Sequence, residues 1–78
     1  MYERKKAPLG SPPPFGAKAE TRAPGQIKVG DYVFLGGAYR RVTDMRSDGA
    51  SRRTLIFADH FPLRVGALTV TYRPPARP

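Results

Sequence analysis

Short apolar runs, each closed by a turn former, fill the second half of the chain. Tyr32-Val33-Phe34-Leu35 is aromatic and β-branched and runs into Gly36-Gly37, which predicts a short strand and a tight turn. Residues 38–45 predict a second strand, but its large side chains, Tyr39, Val42 and Met45, recur every third position. A strict period of two would put Tyr39 and Val42 on opposite faces, so a β-bulge is expected near Arg40-Arg41. The alternative, a helical turn, lacks a cap, and Gly-Gly precedes the run. Residues 46–52 hold Asp48-Gly49 and form a loop. Arg53–Ala58 is the most apolar run and is expected to be the central strand. Asp59-His60-Phe61-Pro62 is a turn, after which Leu63 and Val65 flank Arg64. Leu68, Val70 and Tyr72 then alternate with Thr69, Thr71 and Arg73, which predicts one buried face and one wet face. No window carries a capped helical pattern.

The first third of the chain reads differently. Residues 1–26 contain Pro8, Pro12, Pro13, Pro14 and Pro24, and their only large apolar side chains are Met1, Tyr2, Leu9 and Phe15. Such a segment buries too little apolar surface to offset its ordering entropy, so it is expected to be a disordered basic arm. Residues 74–78 are a shorter tail of the same kind. Residues 27–73 remain as the folded unit, near the lower size limit for a domain without staples. Five short strands in so short a chain bury one face by curling, which predicts a mainly β, small, partly open barrel, SH3-like or OB-like.

Ile27-x-Val29-Gly30-Asp31-x-Val33 resembles the first-strand entry of SH3-like small barrels, where a Gly-Asp turn leads into the strand. That resemblance implies the same barrel. The run Arg41-Val42-x-Asp44-Met45-Arg46, Leu55-Ile56-Phe57 and the closing Thr71-x-Arg73-Pro74 resemble short uncharacterised actinobacterial proteins. This second resemblance implies a bacterial, cytoplasmic setting and no particular activity.

Composition narrows the chemistry. The 78 residues carry 14 Lys and Arg against 6 Asp and Glu, for a formal net charge of +8. There is no Cys and one His, so disulfides, thiolate zinc sites and multi-histidine metal centres are excluded. No apolar run has the roughly 18–20 residues of a membrane-spanning helix, and no amphipathic helix suggests a membrane surface. MYERKKAPLG lacks the apolar stretch of a signal peptide. His60 and Asp59 adjoin one another, but neighbours in an extended segment point to opposite faces, so they do not form a catalytic pair. Gly36-Gly37 lacks the Lys-Ser/Thr and helix of a phosphate loop. The expected protein is therefore not an enzyme, and no cofactor, metal or small-molecule substrate is expected.

The cations suggest a binding surface. Arg40, Arg41, Arg46, Arg52 and Arg53 fall within fourteen positions around one hairpin, where they are expected to be exposed and gathered at one end of the barrel. Guanidinium forks pair with phosphate and stack on bases. Tyr32, Tyr39 and Tyr72 are candidate stacking platforms, with Tyr39 and Tyr72 preferred, and Lys28, Arg64 and Arg73 extend the path. Arg4, Lys5, Lys6, Lys18 and Arg22 of the arm add sequence-independent attraction. This pattern predicts an accessory or regulatory nucleic-acid-binding protein. The alternative is a protein–protein adaptor that docks through its Pro-rich segment, Gly10-Ser11-Pro12-Pro13-Pro14-Phe15, and an open barrel edge onto an acidic partner from the transcription machinery or a virion. A solvated charged face and a Tyr-rich core, as an Arg-rich composition produces without selection for binding, account for the same residues in the absence of a ligand.

Overall fold

A computed structural model describes residues 2–3, 10, 12–47, 49 and 51–75. The protein is mainly β. Among the described residues there are seven strands: β1 (Tyr2–Glu3), β2 (Lys18–Arg22), β3 (Tyr32–Leu35), β4 (Ala38–Ser47), β5 (Arg53–Phe57), β6 (Leu63–Val65) and β7 (Leu68–Arg73). Two 3-10 turns, Pro14–Gly16 and Pro24–Gln26, are the only helical pieces among the described residues. No helix among the described residues is long and apolar enough to cross a membrane. The pairing order is β1-β7-β3-β4-β5-β6, with β2 also on β7, and the sheet is not closed. All pairings are antiparallel except that of β1 with β7.

The local signals explain most of these elements. Gly36 and Gly37 take φ of 57° and 81°, the left-handed pair that a two-residue hairpin needs, and Leu35 faces Ala38 across them. The bulge in β4 falls between Val42 and Asp44, one turn of the pattern later than Arg40-Arg41. It lies there because Tyr39 and Val42 do belong to opposite faces, as period two demands. The slip is needed only afterwards, to return Met45 to the side of Val42. The Thr43 hydroxyl donates to the Ile56 carbonyl (3.1 Å) beside the irregularity.

Two clusters share the core, one on each face of β3. Val33 joins Ile27, Val42, Leu55, Phe57 and Val65, with Leu35, Met45 and Leu63 against them. On the other face Tyr32 and Phe34 pack with Tyr39 against Ala17, Val70 and Tyr72. The turn before β3 is tied by Gly30 and Asp31. Gly30 has φ of 99°, its amide donates to Val42, and the Val42 amide donates back to the Asp31 carbonyl (2.8 Å). The Asp31 carboxylate is buried. It accepts from the Lys28 amide (2.9 Å) and takes both Nε (2.7 Å) and Nη2 (2.8 Å) of Arg73. One side chain thus fixes the entry of β3 to the end of β7.

Three expectations are corrected. The strand count is seven rather than five, because β1 and β2 lie outside residues 27–73. The expectation of disorder is overturned for residues 18–26. Lys18–Arg22 pairs with the whole of Thr69–Arg73, and Ala17 is buried beside Val70 and Tyr72. Backbone hydrogen bonds recruit this charged segment, since β7 otherwise carries an uncovered edge. Finally, the face of β7 expected to be wet is covered at Thr69 and Thr71, which are both fully buried. Their hydroxyls are satisfied internally, Thr69 donating to the Ala67 carbonyl (3.0 Å) and Thr71 accepting from Arg22 Nη1 (2.7 Å).

Candidate nucleic-acid interface

The register of β3, β4 and β7 sets a row of rings on one face. Phe34 stands opposite Tyr39, and Tyr32 stands opposite both Arg41 and Tyr72. Tyr39 meets Phe34 and Tyr72 edge-on, each with ring centroids 5.1 Å apart. Tyr32, Phe34 and Tyr39 are half-buried, and Arg41 is exposed. Burial, and secondarily Tyr72, raises the Tyr39 pKa above its ordinary value, so the phenol stays neutral near pH 7. Phe15 approaches Tyr32 at 6.3 Å from the turn that precedes β2. It is 75% exposed and holds φ of 54°, a left-handed conformation uncommon for a bulky residue.

This face selects among the residues singled out in the sequence. Tyr39 and Arg41 sit on it together. Tyr72 lies beneath it, 4% exposed, so it supports the Tyr39 ring and presents no surface for a base. The remaining arginines do not gather. Arg40 shares a face with Val33, and its guanidinium binds the Asp59 carboxylate (3.0 Å) and the Leu35 carbonyl (3.1 Å), stapling the β3–β4 turn to residue 59. Arg46 is exposed and faces Thr54, which faces Arg64 on β6. Arg52 is exposed beside Gly66. Arg53 is half-buried rather than exposed, because it lies on the β5 face that carries Leu55 and Phe57, with Nη1 on the Arg52 carbonyl (2.9 Å). Strand alternation puts Arg40 and Arg53 on the face of Val33 and Leu55, whereas the bulge returns Arg46 to the side of Arg41, so the five do not form one cluster. Arg4, Lys5 and Lys6 lie outside the described residues. The Asp59 carboxylate is engaged by Arg40, and His60 Nδ1 is 2.9 Å from the Phe61 carbonyl.

A second basic surface was not evident as a cluster in the sequence. Lys18, Glu20 and Arg22 of β2 share a face with Thr69, Thr71 and Arg73 of β7. Glu20, Arg22 and Arg73 border two adjoining clefts, one of about 420 Å3 with Gln26 and Lys28 and one of about 380 Å3 with Lys18. The residues that make it are spread from 18 to 73. Its only sequence signal was the period-two pattern of Lys18-Ala19-Glu20-Thr21-Arg22. Comparison with protein-family models, curated proteins and solved structures returns no match for this chain.

Proposed function

We propose that this chain is a non-catalytic module that binds single-stranded nucleic acid across the face formed by β3, β4 and β7. An SH3-like, partly open barrel is its frame, and a bacterial cytoplasm its setting. The observation that carries the reading is the shared face of Tyr32, Phe34 and Tyr39 with exposed Arg41 in register beside them. Half-exposed rings take successive bases by stacking, and a neighbouring guanidinium takes the phosphate between them. The net charge of +8 supports it as well. Three acids are spent in internal pairs, Glu20 with Arg22, Asp31 with Arg73 and Asp59 with Arg40. Among the described residues, Lys18, Lys28, Arg41, Arg46, Arg52 and Arg53 make no ion pair.

The test is fluorescence anisotropy with labelled oligothymidine, oligouridine and duplex DNA over a salt titration. Micromolar affinity for single strands near physiological salt is expected, falling as salt rises. Arg41→Glu should weaken binding about tenfold and lower the salt slope by about one phosphate contact. Tyr32→Ala should weaken it by about 1–3 kcal/mol with the slope unchanged. Equal affinity in Arg41→Glu and wild type overturns the proposal.

One observation favours a second reading. The chain's own Pro12-Pro13-Pro14 run leads into Phe15, which lies against Tyr32. An aromatic face also suits a proline-rich peptide of a partner protein, which would displace this segment. Binding of a proline-rich peptide with no binding of oligonucleotides selects that reading.

A further inference from the structure

On the other face of β2 and β7, two arginines are held rigidly with donors to spare. Arg73 gives Nε and Nη2 to buried Asp31 and Nη2 also to the Gln26 carbonyl (3.0 Å). A guanidinium has five N–H groups, and Arg73 Nη1 donates to no atom of the described residues. Arg22 is anchored in the same way, by Glu20 (2.6 Å) and by the Thr71 hydroxyl (2.7 Å), and its Nε donates to no atom of the described residues. Both line the larger cleft, together with Lys28, Gln26, Thr21 and Glu20. Lys18 borders the adjoining cleft and stands directly opposite Arg73 in the strand register. Like charges placed opposite one another on a sheet are unfavourable unless an anion lies between them. Four cations therefore surround the clefts against two carboxylates, both already committed to the arginines.

We propose that this cleft is a phosphate-binding site, built from Arg22, Lys28 and Arg73 with Lys18 at its rim. Guanidinium groups fixed in advance by carboxylates lose little freedom when they take a tetrahedral oxyanion, and the two lysines supply charge without fixed geometry. The site is distinct from the aromatic face and does not rest on the reading given there. Its ligand is a phosphate group, carried either by a small phosphate ester or pyrophosphate, or by the backbone of a nucleic-acid strand.

The experiment is a 15N-HSQC titration of the full chain with inorganic pyrophosphate and, separately, with oligothymidine. Pyrophosphate should give saturable shifts of the Thr21, Gln26, Lys28 and Arg73 amides. The exposed pair Lys18→Glu with Lys28→Glu, which touches neither core, should weaken that binding about tenfold or more. If oligothymidine moves the same amides and pyrophosphate competes with it, the phosphate belongs to a strand. If only pyrophosphate moves them, the ligand is a small phosphate. Both results support the site. Absence of saturable shifts around the cleft, or the same affinity in the charge-reversed pair, overturns it. Oligothymidine shifts at Tyr32 and Tyr39, with no saturable shift at the cleft from either ligand, would leave the aromatic-face reading standing and this one overturned.

Discussion

Asp31 shows how much can rest on one side chain. Its carboxylate is 2% exposed and accepts three hydrogen bonds, from the Lys28 amide and from two nitrogens of Arg73. Burial of a lone charge is costly, but a carboxylate with three donors is satisfied, and the pairing holds the Arg73 pKa above its ordinary value, chiefly through the hydrogen bond to Asp31. Asp31→Ala removes the acceptors, which leaves the part-buried Lys28 amide unpaired and the Arg73 guanidinium with the Gln26 carbonyl in place of a carboxylate. The expected loss is about 3 kcal/mol in urea unfolding, and a loss below about 1 kcal/mol would show that the pair is expendable. Tyr39 makes a prediction of opposite chemistry. Its pKa is raised in the folded protein, so the folded state holds the phenol proton more tightly than the unfolded chain does. Its contribution is complete below the unfolded pKa of about 10 and is lost as pH rises through that value toward the folded one. The urea midpoint should fall more steeply above about pH 10 in wild type than in Tyr39→Phe. Equal slopes would mean that the phenol titrates alike in both states.

At the scale of elements, the strands from 32 to 73 were legible because each combines β-branched or aromatic residues with an unambiguous stop. Gly36-Gly37, Asp48-Gly49 and Pro62 mark those stops, although β4 runs on through Arg46 and Ser47, which were expected in the 46–52 loop and instead pair with Thr54 and Arg53. What stayed hidden was decided by partners distant in sequence. Lys18-Ala19-Glu20-Thr21-Arg22 has no apolar residue larger than alanine, and it is a strand only because β7 offers it backbone donors and acceptors. Thr69 and Thr71 looked like a solvent face for the same reason: nothing near them in the chain reveals that β2 will bring Arg22 over the sheet. The site was half legible. Tyr39 and Arg41 were named, but proximity in sequence suggested a five-arginine cluster that strand alternation takes apart. A chain beginning at residue 27 isolates the contribution of β2. It should lose several kcal/mol of stability or its cooperative transition, since one edge of β7 and the Val70–Tyr72 surface lose their cover. A truncated chain as stable as the full one would mean that β2 docks without contributing to the fold.

For the whole molecule, size and charge together matter. The principal extents are 34 × 29 × 23 Å, whereas exposed charges are screened over about 8 Å at physiological ionic strength. Cations on opposite faces therefore act separately despite the net charge of +8. Charge reversal of Arg41 and reversal of the Lys18 and Lys28 pair should have additive effects on oligonucleotide affinity, within about 0.5 kcal/mol in a double-mutant cycle. A larger coupling would mean that one ligand bridges both faces or that the fold transmits between them. The position of β7 bears on how the protein comes into being. It is the common partner of β1, β2 and β3, yet it is made after all of them. On a ribosome, the β3–β4 and β4–β5 hairpins can form as they emerge, while β2 must wait for the segment that will receive it. A waiting strand rich in valine and isoleucine would invite other nascent chains to pair with it. Lys18, Glu20 and Arg22, which look ill suited to a strand in the finished fold, keep that segment hydrated and single until its partner has been synthesised.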